Sequence, residues 1–241
     1  MHTTLTCSMT GEQYDPGQLH NLSRCGKPLL AQYDLASLRG VLTPKVLRSR
    51  SVRSMWKFHE VMPTDGLSGI VSLGEGLTPL LRCERRGSFA PFEQMFVKDE
   101  SFNPTQSFKA RGMSAAVTRA AALGVTSVAL PSAGNAAGAA TAYAARAGMK
   151  CYIFVPADTP PANILESVAG GATVFLVNGL ISDCGQLCRA ACQRFGWFDL
   201  STLKEPFRIE GKKTMGYELA FDLADQRETE GLQLPDVILY P

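Results

Sequence analysis

The sequence predicts an α/β fold in which a parallel sheet is covered by helices on both faces. Two observations carry that reading. Between residues 127 and 195, short apolar runs alternate with helix-length segments, and the runs are near-continuously apolar, as strands buried on both faces require. The helix-length segments also carry start and stop signals: two prolines open one of them and a glycine closes another.

The elements follow in order. Residues 1–30 form a small, turn-rich piece. "TPKVLRSRSVRSMWKFHEVMP" (43–63) sets Val46, Leu47, Met55, Trp56 and Phe58 at partly helical spacing and predicts one helix stopped near Pro63. "GIVSLGEGLTPLLRC" mixes short apolar runs with a Gly-Glu-Gly turn, and "QMFVKDE" reads as a strand running into "SFNPTQSFKARGMSAAV" (101–117). The rhythm then begins. "SVALP" (127–131), "KCYIFVP" (150–156) and "ATVFLV" (172–177) are strands. "AAGAATAYAARAG", "PPANILESVAGG" and "ISDCGQLCRAACQRF" are the helices between and after them, the first ended by Gly148. "FRIEGKKTMGYELA" (207–220) reads as a charged stretch ahead of an amphipathic helix, and "LPDVILYP" (234–241) as a buried-type strand.

The bulk numbers narrow the function classes. The chain has 241 residues, 45% hydrophobic and 19% charged, which suits a globular protein with a sizeable core. A net charge of +2 argues against a dedicated nucleic-acid binder, and the basic run "RSRSVR" (48–53) is expected on a solvated helix face. No apolar segment is long enough to span a bilayer and the N-terminus lacks a signal-peptide layout, so a cytoplasmic protein is expected. Seven cysteines then form no disulfide framework. Cys184, Cys188 and Cys192 share one helix face as buried apolar groups, while Cys7 and Cys25 resemble a zinc ribbon with half its ligands. No metal is expected, because a closed site needs four ligands.

Three constellations bear chemistry. Lys109 stands in the first turn of a small-residue helix that Ser107 or Thr105 can cap. The positive helix end, with desolvation by Phe102 and Phe108, lowers its pKa and makes the amine a nucleophile and base; the bland alternative is a surface lysine. "PSAGNAAGA" (131–139) puts Ser132, Ala133, Gly134 and Asn135 in a strand-to-helix turn, where N–H groups suit a carboxylate or phosphate. Its glycine spacing does not match a dinucleotide fingerprint, and the bland alternative is an ordinary tight connection. Around Gly211, Arg208, Glu210, Lys212 and Lys213 make either a charged loop or an anion-binding strand facing the lysine.

Together, "VKDESFNPTQSFKARGM" and "SAGNAAGAATAYAARAGM" resemble pyridoxal-5′-phosphate enzymes of the tryptophan-synthase-β fold type, fold type II. "SLGEGLTPLLRC" and "RIEGKKTMGYELA" resemble threonine synthases among them. The resemblance implies a two-domain architecture with parallel sheets flanked by helices. Residues 1–30 would be a degenerate zinc-ribbon-like segment, 31–99 the first part of a large domain, 100–200 a small βα domain, and 201–241 an incomplete re-entry into the large one. It implies that Lys109 is the cofactor-linked lysine, that Asn135 meets the cofactor ring, and that Ser132, Ala133, Gly134 and Asn135 grip a substrate carboxylate. Arg208 and Lys212 would lie on the substrate-phosphate side. The implied reaction converts O-phospho-L-homoserine and water to L-threonine and phosphate. The nearest alternatives are a threonine or serine dehydratase and a non-catalytic homologue.

The expected partner is a small amino acid, with neither nucleic acid nor membrane. A homo-oligomer is allowed but not specified. Gln106 and Ala110 stand where the family motif usually has Gly and often has Asp; Ala133 and Ala136 stand where threonine synthases often carry hydroxyls. The family's glycine-rich phosphate loop would follow Pro241, so the chain reads as an N-terminal portion with its C-terminal part missing. Such a piece is expected to leave apolar surface exposed.

Overall fold

A computed structural model describes residues 3–84 and 93–240. Its centre is a four-stranded parallel sheet of β6 (Ser127–Pro131), β7 (Lys150–Pro156), β8 (Thr173–Val177) and β9 (Phe198–Asp199), in the order β8-β7-β6-β9. The earlier strands are β1 (Thr3–Cys7), β2 (Gln13–Tyr14), β3 (Leu29–Tyr33), β4 (Leu80–Arg82) and β5 (Phe96–Lys98). The first three pair antiparallel in the order β2-β1-β3, and β4 pairs with β5. The helices are α1 (Pro44–Ser49), α2 (Lys109–Ala122), α3 (Asn135–Arg146), α4 (Pro161–Ala169), α5 (Ile181–Phe195) and α6 (Phe207–Gln226). No described helix is long and apolar enough to cross a membrane.

Alternate residues of the central strands divide the core. Val128, Leu130, Ile153 and Val155 face α2 and α3, burying with Met113, Val117, Ala137, Ala140 and Tyr143. The intervening Ala129 and Phe154 face the other way and bury with Cys184 and Cys188 of α5. This is the period-two alternation of a sheet covered on both sides. Those two α5 cysteines are core, as expected from their spacing. Leu5, Cys7 and Leu29 of the N-terminal sheet bury against Phe207, the first residue of α6.

Two helices cross almost backbone to backbone. A Cβ on Gly112 of α2 would lie 2.7 Å from the Arg208 carbonyl oxygen, and one on Gly211 of α6 would overlap the Arg111 carbonyl. The expected charged stretch at 207–220 is therefore helix from its first residue. Gly211 does not loosen it, because the glycine sits where the partner backbone needs the space. At its start, the Glu205 carboxylate accepts from Arg208 N at 2.7 Å.

Two other expectations change. The segment 43–63 is two pieces, α1 and a 3₁₀ helix over Met55–Val61. Ser54 makes the break: its hydroxyl accepts from Trp56 N at 3.3 Å and opens the second piece in place of continuing the first. The basic run straddles that break, so it is not one helix face; Arg48 pairs with Asp225 and Arg50 with Glu60. Residues 234–240 form no strand, and Pro241 lies outside the described residues. A strand of this apolar kind needs a sheet to join, and here Leu239 is 92% exposed, with Leu234, Val237 and Ile238 also exposed.

The helix crossing predicts opposite outcomes for two glycines of α6. Gly211→Ala is expected to destabilise the protein by about 2 kcal/mol or more through overpacking. Gly216→Ala, where an added carbon meets nothing within 4 Å, is expected to stabilise it by about 0.5–1 kcal/mol. Denaturant midpoints of both variants check this.

Candidate active site

The crossing of α2 and α6 is locked by one buried guanidinium. Arg111 has no exposed surface. Its Nε donates to Glu100 at 2.7 Å, its Nη1 to Glu218 at 2.6 Å and Thr214 at 3.0 Å, and its Nη2 to Glu218 at 2.7 Å, Glu100 at 2.8 Å and Thr78 at 3.2 Å. Lys98 adds a second cation, 3.0 Å from Glu218. Burial pushes the Glu218 carboxyl up, yet Arg111 and Lys98 hold it below the usual carboxylate range. Sequence reasoning missed this cluster; its one trace was a long cation, Arg111, among small and apolar residues in "ARGMSAAV".

Lys109 lies two residues before Arg111, as the first residue of α2. The residue that precedes it, Phe108, is the N-cap and offers no side-chain cap, so neither Ser107 nor Thr105 caps the helix: Ser107 Oγ accepts only from Lys109 N at 3.3 Å, and the Thr105 hydroxyl is buried without a partner among the described residues. Lys109 Nζ stands 3.4 Å from the centre of the Phe108 ring. Phe102 is 70% exposed and shields nothing, a correction to the expected pair of phenylalanines. Desolvation, then the Arg208 charge, lowers the Lys109 pKa.

The first two turns of α6 bring two more cations. Lys212 Nζ lies 5.6 Å from the same Phe108 ring, and burial with the charges of Arg208 and Lys109 pushes its pKa down to about 8. Arg208 is buried, with Nη1 donating to the Leu200 carbonyl at 2.6 Å and Nε unpartnered. Lys213 turns elsewhere, pairing with Glu210 over the Tyr33 ring. Among the described residues, neither Lys109 nor Lys212 meets a carboxylate. The nearby Glu205 gives little compensation, since burial raises its pKa to about 7 despite backbone N–H bonds from Phe207 and Arg208. The three cations thus lie near enough to feel one another's charge, and of them only Arg208 feels carboxylates, those of Glu205 and Asp199.

The Ser132–Asn135 turn sits at the carboxyl end of β6, where α3 begins. Because α2 runs into β6 and α3 runs out of it, both helix starts open at that end, and Ala110 and Ala136 bury in one cluster. Ser132 N donates to the Phe154 carbonyl, Gly134 N to Ser132 Oγ, and Asn163 Nδ2 to the Ala133 carbonyl at 2.8 Å. Nothing lies within 4 Å of where a Gly134 Cβ would be, and the exposed Asn135 side chain makes no hydrogen bond among the described residues. Gln106, in the loop before Lys109, has φ +52°, a backbone state that favours glycine. Tyr240 reaches the same region, with its ring 5.3 Å from that of Phe108.

Residues 71–241 match the family described as pyridoxal-phosphate dependent enzyme. The chain is 34% identical over 236 residues to threonine synthase of Methanocaldococcus jannaschii, covering 98% of this chain and 56% of that protein. It is 32% identical over 239 residues to threonine synthase of Methanosarcina acetivorans, with the same coverage. The chain therefore spans about half the length of these relatives. Among solved structures, diaminopropionate ammonia lyase from Escherichia coli in complex with D-serine resembles it with a TM-score of 0.60 at 16% identity. That likeness covers 75% of this chain and 52% of the other, and speaks to the fold alone.

The cation cluster has a pH signature. Lys212 loses its proton in the folded protein near pH 8 but near its ordinary 10.5 when unfolded. Between those values the unfolded chain binds more protons, so this group's contribution to stability rises with pH across that window. An anion seated on the cluster reverses the preference. Sulfate is expected to raise the thermal midpoint at pH 7 and progressively less above pH 8, and Lys212→Met should remove most of the pH-dependent part. Thermal melts of the two proteins across pH 6–10 measure it. The family match over residues 71–241 establishes that the chain belongs to the pyridoxal-phosphate dependent enzymes.

Proposed function

We propose that the protein acts as a threonine synthase, converting O-phospho-L-homoserine and water to L-threonine and phosphate. The observation that carries this reading is the cluster of Lys109, Lys212 and Arg208, whose two lysines meet no carboxylate among the described residues. An enzyme acting on free threonine or serine has no phosphate substrate to need the extra charge. The donor set also fits pyridoxal phosphate, an aldehyde bearing a phosphate. Lys109 offers an amine held below its ordinary pKa, and Asn135 offers a side chain with no other commitment. When bound, the cofactor supplies an electron sink for the carbon that loses a proton.

The residues divide the work. Lys109 holds the cofactor, then takes and returns protons at the α- and β-carbons, its lowered pKa keeping a fraction of the amine free to do so. Asn135 orients the cofactor ring. Ser132, Ala133, Gly134 and Asn135 hold the amino-acid carboxylate, using the turn's backbone at the start of α3. Lys212 presents charge to the substrate phosphate. The buried Arg208, tied to the Leu200 carbonyl, adds its field from behind. Lys109 and the Ser132–Asn135 turn belong to a small βα domain of about 100–200, and Arg208 and Lys212 come from the division 201–241, with 1–30 and 31–99 before them.

Borohydride reduction in the presence of pyridoxal phosphate is expected to leave a pyridoxyl group on Lys109, located by peptide mass. Lys109→Ala should lower phosphate release from phosphohomoserine by about 10³-fold or more. Ammonia and 2-oxobutyrate from free threonine, with no phosphate released from phosphohomoserine, would replace this reading with a dehydratase. An unlabelled Lys109 would point to a non-catalytic binding protein.

A further inference from the structure

We infer that Cys7 and Cys25 are a reversible thiol–disulfide site that fastens the N-terminal sheet beside the start of α6. The two Sγ atoms lie 3.5 Å apart on facing turns, although 18 residues separate them in sequence. Cys7 ends β1 in a turn where Gly11 N donates to its carbonyl, and Cys25 sits in the turn closed by Gly26 N and the Ser23 carbonyl at 2.8 Å. Ser8 N donates to the Pro28 carbonyl at 3.0 Å and holds one turn against the other. The thiols are therefore brought together by the backbone, not by side-chain reach.

Their surroundings differ in a way that suits exchange. Cys25 is exposed and Cys7 is buried, so an oxidant in solution reaches Cys25 first. Ser23 Oγ lies 3.2 Å from Cys7 Sγ and 3.3 Å from Cys25 Sγ, and Thr10 N donates to Cys7 Sγ at 3.5 Å. Hydrogen bonds from Ser23, then Thr10 and Met9, favour the Cys7 thiolate and lower its pKa to about 6. The chemistry balances with a peroxide as oxidant. Cys25 sulfur attacks one peroxide oxygen, giving a sulfenic acid and one water. The Cys7 thiolate attacks that sulfur and expels hydroxide, which gains a proton to become a second water. Two thiols have lost two electrons to the peroxide, and a small dithiol returns them by exchange.

The bond would matter at the other end of the loop it closes. Within residues 7–25, Asn21 Nδ2 donates to the Asp199 carbonyl at 2.7 Å, and the Pro16 carbonyl accepts from Arg119 of α2 at 2.6 Å. Cys7 itself packs with Phe207, the neighbour of Arg208. Closing the loop tightens the surface on which the first turn of α6 rests.

The test starts from the fully reduced protein, treated with hydrogen peroxide and quenched at intervals. The expected result is a Cys7–Cys25 cross-linked peptide pair, appearing about tenfold faster than oxidation at any other cysteine. A rise of about 5 °C in the thermal midpoint, reversed by dithiothreitol, should accompany it. Cys25→Ser, an exposed and conservative change, should keep the reduced-state midpoint and show no rise. Sulfinic acid at Cys25 with Cys7 still a free thiol would overturn the proposal. So would zinc or copper(I) taken up by both thiols without the cross-link on peroxide treatment, which would make the pair a metal site.

Discussion

The Arg111 guanidinium is the constraint on which the rest of the structure depends. A buried ion cluster contributes little net stability, because desolvation consumes most of the Coulomb gain, but removing one partner costs about 3–5 kcal/mol. Its value lies in geometry. Five N–H donors in a fixed plane accept one arrangement of Glu100, Glu218, Thr78 and Thr214. Those four residues come from the segment before β4, the turn after β5 and the middle of α6. Satisfying one side chain therefore fixes three separate stretches of chain around α2, two residues from Lys109. A second buried acid repeats the device. Glu75 accepts from Trp56 Nε1 at 2.9 Å, Ser114 Oγ at 2.6 Å and Tyr143 Oη at 2.6 Å, tying the next turn of α2 to α3.

This arrangement separates charge that is compensated from charge that is not. Along α6, Thr214 and Glu218 look into the Arg111 cluster, whereas Arg208 and Lys212, four residues apart, look toward Lys109. The same helix thus seals one ion cluster and leaves a neighbouring one open. A cation cluster held partly out of water beside a helix start carries a desolvation and repulsion cost that the Arg111 cluster, with its carboxylates, does not. That desolvation is imposed by the fold, so the rigid crossing at Gly112 and Gly211 bears on the charge of the lysines as well as on packing.

Legibility in the sequence followed the range of the interactions. The strands 127–131 and 150–156 and the helix 181–195 were readable to the residue, because burial on both faces and helix punctuation are local signals. The helix at 207–226 was not. Its charges suggested a loop or an entry strand, since the partners that bury Arg208 and Glu218 lie elsewhere in the chain, and so does the backbone that Gly211 contacts. The break at 50–54 was hidden because Ser54 caps a second helix inside one continuous apolar pattern. Lys109 and the Ser132–Asn135 turn were visible from their small neighbours. Arg111 was not, because its partners span residues 78 to 218.

The motifs that carry the family resemblance are, in large part, packing motifs. In "LGEGLTPL", Glu75 is a buried acceptor, and Gly76 has φ +92° where a Cβ would lie 2.7 Å from Met55 N. In "FKARGM" and "RIEGKKT", the arginine and the two glycines make the helix crossing. Matching these stretches therefore reports how the lysine-bearing helix is held before it reports what the lysine acts upon. Other positions lie outside these contacts. Lys212 is one, exposed enough to meet a ligand and bound to no carboxylate. Gln106 is another, in a backbone state that glycine would adopt without strain, at the loop entering Lys109. The frame is thus fixed by the buried groups, and side chains such as Lys212 and Gln106 can change while it stays as it is.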